Sequence, residues 1–168
     1  DIDGEARDLI NLDLGADEYN MYPDTQAINV MFANVTTSQL DIQWTRGNGD
    51  SCLVFMIEGS IGTALPIDNI VYLPNTSFQL GGQIGLSGWH CIYRGTGTSV
   101  TVSGLNPLTT YRIHVCEFNF GSTHHNSDSS AGNPSNESTP NECYDPNGQS
   151  EANILVSSAD LFWTENGT

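Results

Sequence analysis

The sequence contains no lysine, and its four basic residues, all arginines, face twenty acidic residues. The formal net charge is therefore −16 at pH 7. Nucleic acids and anionic lipid surfaces are bound through clusters of lysine and arginine, so this composition argues against both as partners. The same charge favours a soluble chain whose copies repel one another and weakly attract cations.

Long apolar runs and helical patterns are missing as well. No run approaches the ~20 apolar residues of a membrane-spanning helix, so we expect no membrane insertion. No stretch of about ten residues has the period of an amphipathic helix, which disfavours a parallel sheet with crossover helices. The chain begins at Asp1 with an acidic segment and no signal peptide, a start typical of a mature or excised piece.

Sequence signatures of serine hydrolases, zinc peptidases and phosphate-binding loops are also absent. His124 and His125 have no recognisable further ligand nearby and are interpreted as surface histidines. The segment 1–5 is similar to the beginning of a calcium loop but lacks the remaining ligands of such a loop. Calcium is therefore a weak candidate, and no other metal or cofactor is expected. Among so many acids, carboxylate pairs arise by chance and none marks a glycosidase cleft. We therefore predict that the chain is not an enzyme.

Cysteines and glycosylation sequons are present. An even number of cysteines in a chain rich in glycine, asparagine and serine indicates secretion and two disulfides, and the spacing excludes a zinc site of the Cys-x-x-Cys type. We therefore expect an extracellular or cell-surface location. The cysteines are Cys52, Cys91, Cys116 and Cys143, and the candidate glycosylation sites are Asn34, Asn75, Asn136 and Asn166.

Short alternating runs in the central part of the chain predict β-strands. The run 37–45 places Leu40, Ile42 and Trp44 on one face. The almost wholly apolar run 52–57 is typical of a central strand that is buried on both faces. The strand spacing of roughly 8–12 residues is typical of a β-sandwich. Further strands are predicted at residues 27–33, 89–93, 99–103 and 111–116, with a last edge strand within 124–131.

A strand, a Leu-Asn-Pro turn and a tyrosine that opens a second strand follow one another over residues 99–119. Other short motifs, rich in glycine and aromatic residues, lie before this corner and at its C-terminal end. They are Trp-Thr-Arg-Gly-Asn-Gly-Asp at 44–50, Tyr-Arg-Gly-Thr-Gly at 93–97 and Glu-Phe-Asn at 117–119.

This series of motifs resembles fibronectin type III-like modules, above all those of large secreted or surface proteins of Bacteroidetes-type bacteria. The resemblance covers residues 26–134. It implies an all-β fold, an Ig-like antiparallel β-sandwich with Trp44, Leu105 and Tyr111 in its core. It also implies that the Tyr111 hydroxyl bonds back to the backbone of the turn.

The resemblance also bears on the cysteines. It places Cys52 at the start of one strand and Cys116 on a neighbouring strand of the same sheet. A Cys52–Cys116 bridge is then feasible and leaves Cys91 to pair with Cys143, while a Cys52–Cys91 bridge is the open alternative. Either bridge would stabilise the fold by about 2–4 kcal/mol.

The C-terminal part of the chain repeats an earlier stretch. Residues 33–49 and 152–167 match at an offset of 119, with Trp163 in the place of Trp44. We therefore predict that the tail holds the first two strands of a second, incomplete sandwich. The predicted organisation is an acidic arm or the end of a preceding module at 1–25, a complete module at 26–134, a polar linker at 135–151 and the two further strands at 152–168.

Two strands cannot bury an apolar face alone, so Leu161 and Trp163 need a partner. The alternating residues Ile10, Leu12 and Leu14 of the arm offer a strand for this purpose. The sequence thus favours a non-enzymatic structural module of a repeat protein or extracellular filament, whose partner is the chain itself through head-to-tail strand contacts.

A carbohydrate-binding or adhesin-type module appended to a secreted enzyme is the alternative function. Four aromatic residues of the irregular middle of the chain could form a stacking platform for a sugar. Packing in the core is the competing interpretation of the same residues. They are Tyr72, Phe78, Trp89 and Tyr93.

Overall fold

A computed structural model describes residues 22–120, 124–141, 147–155 and 158–164. In the last two ranges it describes the backbone and, of the side chains, Phe162 alone. Outside the described residues lie the arm with Ile10, Leu12, Leu14 and the calcium-like start, together with Cys143 and Asn166. The side chains of Leu161 and Trp163 are likewise not described. Within the described part of the chain, no helix is long and apolar enough to cross a membrane.

The described residues form β-strands and irregular segments. The alternating runs fold into strands close to their predicted bounds, because each run has one apolar face to bury. The strands are β1 Ile28–Ala33, β2 Gln39–Thr45, β3 Ser51–Glu58, β4 His90–Gly95, β5 Ser99–Ser103, β6 Thr110–Phe118, β7 His125–Asn126, β8 Ser135–Ser138, β9 Asn147–Leu155 and β10 Ser158–Thr164.

Two antiparallel sheets form a sandwich. One sheet has the order β1-β2-β5, and the other has the order β4-β3-β6-β7, with β8 also paired to β6. This arrangement is the fibronectin type III-like, all-β sandwich that the sequence predicted. The inner core between the sheets holds alternate residues of β2 and β3, including Leu40, Ile42, Val54 and Met56, all with no exposed surface.

A second apolar layer, the outer core, covers the opposite face of the β3 sheet. Leu53 and Phe55 of β3 point into it. The irregular residues 59–89, here called the outer segment, close this layer with Tyr72 and Trp89. Strand β3 is therefore buried on both faces, as its apolar sequence predicted. The outer segment also carries several exposed apolar side chains, namely Ile61, Leu65, Ile67, Ile70, Val71, Leu73, Leu80 and Leu86.

The predicted boundary at residue 134 and the predicted linker 135–151 are wrong in part. Residues 135–138 form β8, which pairs with β6 from Thr110↔Ser138 to Ile113↔Ser135. The sequence Gly-Asn-Pro suggested an end, but the side chain of Asn133 is buried between strands and the chain continues along β6. Residues 147–151 likewise belong to β9.

Strands β9 and β10 form a separate two-stranded sheet whose register repeats that of β1 and β2. An irregularity in the register also falls at the matching place in both hairpins. Adding 119 to the residue numbers of the β1–β2 pairs gives the β9–β10 pairs. Ile28↔Thr45 becomes Asn147↔Thr164, Met31↔Gln43 becomes Ser150↔Phe162, Phe32↔Ile42 becomes Glu151↔Leu161, and Ala33↔Asp41 becomes Ala152↔Asp160.

Candidate functional site

The corner between β5 and β6 is closed by a buried tyrosine. Tyr111 has no exposed surface, and the backbone N–H of Asn106 donates a hydrogen bond of 2.8 Å to its hydroxyl oxygen. Burial raises the pKa of this hydroxyl. Leu105, before the turn, and Trp44, on β2, lie in the same inner core. The structure therefore places these three residues in one core, with Leu105 and Tyr111 at the corner that the sequence motif indicated.

A buried ion pair fixes the loop after β2. Glu117 of β6 has no exposed surface. Arg46 donates hydrogen bonds to its carboxylate, from Nε to Oε1 at 2.8 Å and to Oε2 at 3.0 Å, and from Nη2 to Oε2 at 2.6 Å. The backbone N–H of Gly47 donates a further bond of 2.7 Å. A side chain at Gly47 would overlap the backbone of Thr25, which explains the glycine. The paired carboxylate is used for structure, and Glu117 in turn raises the pKa of Arg46.

The predicted disulfides of Cys52 are wrong. Cys52, Cys91 and Cys116 are buried free thiols. Cys52 points into the inner core, whereas Cys91 and Cys116 lie in the outer core, so the β-sheet separates them. Cys91 is also free in this structure, and its predicted partner Cys143 lies outside the described residues. Burial raises the pKa of Cys52 and Cys91 to about 12, which makes both thiols unreactive.

His114 is fully buried in the outer layer. Its Nδ1 accepts a hydrogen bond of 3.1 Å from the backbone N–H of Ala64, and Trp89 packs near its ring. Burial lowers its pKa to about 4, so the imidazole is neutral at physiological pH. The histidine therefore fastens the outer segment to β6 and has no access to a substrate.

An Asp–His cluster joins the outer segment to β7. Asp68 Oδ2 lies 2.7 Å from Nδ1 of His124, and Asp68 Oδ1 accepts a bond of 3.2 Å from the backbone N–H of His125. Burial raises the pKa of Asp68, but these hydrogen bonds outweigh that effect and lower it. Burial also lowers the pKa of His125. A cleft of about 340 Å³ lies beside the cluster, lined by Tyr22 and His125 among others.

This cluster was not predicted, because Asp68 lies 56 residues from His124 in the sequence. The prediction of two surface histidines is wrong for His125, which is buried. The hydrogen bonds of this cluster hold the outer segment against β7. Among the described residues, no group of three or more histidine, cysteine or carboxylate side chains is placed to hold a metal ion.

The aromatic platform for a sugar is also contradicted. Tyr72, Phe78 and Trp89 are at most 7% exposed and pack in the two cores. The Tyr93 hydroxyl accepts a hydrogen bond of 2.7 Å from the backbone N–H of Gly97, and its ring packs against Trp44. Core packing is therefore the correct interpretation of these residues.

The described sequon asparagines are all exposed, but their amides differ in their bonding. The amide nitrogen of Asn34 donates a hydrogen bond of 2.7 Å to the Asp41 carboxylate, and that of Asn136 donates one of 3.1 Å to the Ser60 carbonyl. Asn75 accepts a bond of 2.9 Å from the backbone N–H of Ser77 through its oxygen. Asn75 thus uses its oxygen in a local turn, whereas the other two use the nitrogen that a sugar would modify.

The β1–β2 hairpin shows how such a hairpin is covered. Strand β5 pairs along β2 with Ile42↔Val100 and Leu40↔Val102, and Thr101 Oγ1 donates 2.6 Å to Oδ1 of Asp41. The bond from Thr101, with that from Asn34, lowers the pKa of Asp41.

Within the described part of the chain, the β9–β10 hairpin has no third strand at the same place, and we call this side of β10 its free edge. Among the described residues, β10 pairs with β9 alone. Asn153 and Asp160 stand at the positions of Asn34 and Asp41 in the repeat. Phe162, at the position of the exposed Gln43, is itself 54% exposed. We regard the free edge of β10 as the candidate functional site.

No protein-family model matches the chain, and no curated protein matches it. Among solved structures, a human fourth FNIII domain is 19% identical over 80% of this chain and 95% of its own, with a TM-score of 0.46. The FN5 domain of Drosophila Lar is 15% identical over 70% of this chain and 98% of its own, with a TM-score of 0.43. The fold assignment rests on the strand order and the cores of the chain itself.

Proposed function

We propose that this chain is a non-enzymatic structural module of a secreted or cell-surface repeat protein or filament, which assembles through strand contacts at its ends. The observation that carries the proposal is the repeated register of the two hairpins. A chain that builds the same hairpin twice has a modular plan, and the second hairpin needs an apolar cover from elsewhere. The motif series further supports a source among the large surface proteins of Bacteroidetes-type bacteria.

The polar groups inside the module support a structural role. The Glu117 carboxylate is neutralised by Arg46, and the His114 ring is buried beneath the outer segment. These charged and titratable side chains thus fasten loops to strands. We propose that the chain's own copies are its main partner, and that assembly takes place outside the cell or at its surface.

The mass of the full chain in solution tests the proposed function. Light scattering after size exclusion, over a range of protein concentrations, should show a mass that rises with concentration. High salt is needed, because it screens the strong negative charge that opposes contact between copies. Electron microscopy of the concentrated sample should then show linear assemblies. A well-folded chain that stays monomeric under all these conditions would contradict the proposal.

A further inference from the structure

The free edge of β10 has a visible counterpart in the first module. There, β5 covers β2 as an antiparallel strand with apolar residues facing inward and Thr101 opposite Asp41. The repeated register places Leu161 at the position of Ile42, and Asp160 at that of Asp41. A strand that covers β10 therefore needs two inward apolar residues, with a hydrogen-bond donor between them opposite Asp160.

One segment of the chain meets all of these requirements. Resting on the proposed function, we propose that residues 9–13 of a second copy pair with residues 158–162 at the edge of β10 as an added antiparallel strand, as 99–103 pair with 39–43 in the first module. In this register Ile10 stands opposite Leu161, Asn11 opposite Asp160 and Leu12 opposite Ala159. The amide of Asn11 is a donor, as the hydroxyl of Thr101 is for Asp41 in the first module.

The sizes of the residues fit the same register. Ala159 replaces the larger Leu40 of the first hairpin, and Leu12 replaces the smaller Val102. On the opposite face, the register brings Leu9 across from Phe162, which is 54% exposed. The added strand therefore covers an exposed ring as well as the inward positions.

Other registers fail for definite reasons. A shift by one residue turns the apolar positions to the wrong face. A shift by two residues in one direction puts Asp13 opposite Asp160, where two like charges repel. The same shift in the other direction puts Asp8 opposite Leu161, at an inward position within the paired residues, whereas in the proposed register Asp8 lies beyond them. Only one antiparallel register satisfies the apolar positions and the carboxylate together.

The ends of the module favour a second copy over the same copy. Thr25 is bonded to Asn48 at the end of the module where β6 finishes, while Pro140 accepts a bond from Leu108 at the end where β6 begins. The arm and the tail therefore leave from opposite ends, about 27 Å apart by the nine residues of β6. An arm that pairs within its own copy must therefore run back along the length of the module toward the end from which the tail leaves. Head-to-tail pairing of copies has no such constraint.

Matched substitutions test the register. Asn11→Asp puts a carboxylate opposite Asp160 and should weaken self-association about tenfold, measured by sedimentation at high salt. Asn20→Asp makes the same chemical change in the same arm but outside the paired residues, and it should leave the association unchanged. Adding Asp160→Asn to Asn11→Asp restores a donor–acceptor pair and should recover the association. Hydrogen exchange should show slower amides at 158–163 in the wild-type assembly and not in Asn11→Asp.

The outcomes separate this inference from the proposed function. If the wild-type chain associates and Asn11→Asp behaves like Asn20→Asp, this inference is overturned and the proposed function stands. The register is also overturned if the wild-type chain associates but adding Asp160→Asn to Asn11→Asp does not recover the association. It is overturned in the same way if the amides at 158–163 exchange no more slowly in the wild-type assembly. A monomer with protected amides at 158–163 shows closure within one copy and also overturns the inference. A monomer without such protection overturns both proposals.

Discussion

The two hairpins of this chain share a pairing register and differ in what surrounds them. In the first, β5 pairs with β2 and the inner core covers Leu40 and Ile42. In the second, β10 pairs with β9 alone among the described residues. The comparison shows that the register follows from the local sequence, since two copies of the pattern give one pairing. Coverage of the apolar face is supplied by more distant parts of a protein.

The loop after each hairpin differs in charge. Arg46, which neutralises Glu117 in the first module, corresponds to Glu165 at the offset of 119, and Glu165 lies outside the described residues.

The largest effect is expected from making the first loop like the second. Arg46→Glu removes the partner of a fully buried carboxylate and adds a second negative charge, so unfolding free energy should fall by about 4 kcal/mol or more. Urea denaturation measures this loss. Arg46→Lys is the control, because it keeps the charge without the two-pronged geometry and should lose less. Equal losses for both variants would mean that geometry, and not charge, is decisive.

Matched truncations of the two hairpins come next. Ile42→Ala removes a fully buried side chain of the inner core and should cost about 3 kcal/mol. Leu161→Ala changes the equivalent register position in β10 and should leave the unfolding of the first module unchanged. Thermal unfolding of the dilute monomer makes the comparison. A large loss from Leu161→Ala in that state would show that the second hairpin is already covered within one copy.

The sequence predicted those parts of the fold that depend on neighbouring residues. Alternation at Leu40, Ile42 and Trp44 indicated a half-buried strand, and the run around Phe55 indicated a strand buried on both faces. The tyrosine corner was predicted because Leu105 and Tyr111 are close in sequence. The offset between the hairpins was visible for the same reason.

Features that depend on distant or irregular segments could not be predicted. The outer segment has no periodicity, so its contact with His114 and the pairing of Asp68 with His124 left no signal in the sequence. The cysteine pairing failed because the wholly apolar run of β3 does not reveal its register against β6: Cys116 lies opposite Leu53, one residue away from Cys52, so the two thiols face opposite sides of the sheet. The module boundary failed because an asparagine before a proline usually marks a turn, whereas Asn133 is buried.

Asn133 provides the third test, because it helps to hold the outer side of the first hairpin. Its amide nitrogen donates 3.0 Å to the Ala27 carbonyl and 2.9 Å to the Val115 carbonyl, and its oxygen accepts 2.9 Å from the Val115 N–H. Asn133→Ala leaves the N–H and the carbonyl of Val115 without these partners, while the Ala27 carbonyl keeps its bond from the Ser130 hydroxyl, and the change should cost about 2 kcal/mol. Hydrogen exchange should become faster at Ala27–Val30 and Val115 while β9 and β10 are unaffected. A uniform change over both hairpins would contradict this local role.

The smallest effect concerns the carboxylate that the two hairpins share. In the first hairpin the hydroxyl of Thr101 and the amide of Asn34 hold the pKa of Asp41 below its usual value. Thr101→Val keeps the size and the β-branch but removes the donor, so the pKa of Asp41 should rise toward its ordinary value. The contribution of this carboxylate to stability is present above its unfolded pKa and is lost as the pH falls through its folded pKa, and in the variant that loss should begin at a higher pH. NMR titration of the Asp41 side chain measures the shift, with Thr98→Val as the matched control outside the pair. If the pKa of Asp41 stays low in Thr101→Val, Asn34 alone sets it, and a strand that covers β10 needs no donor opposite Asp160.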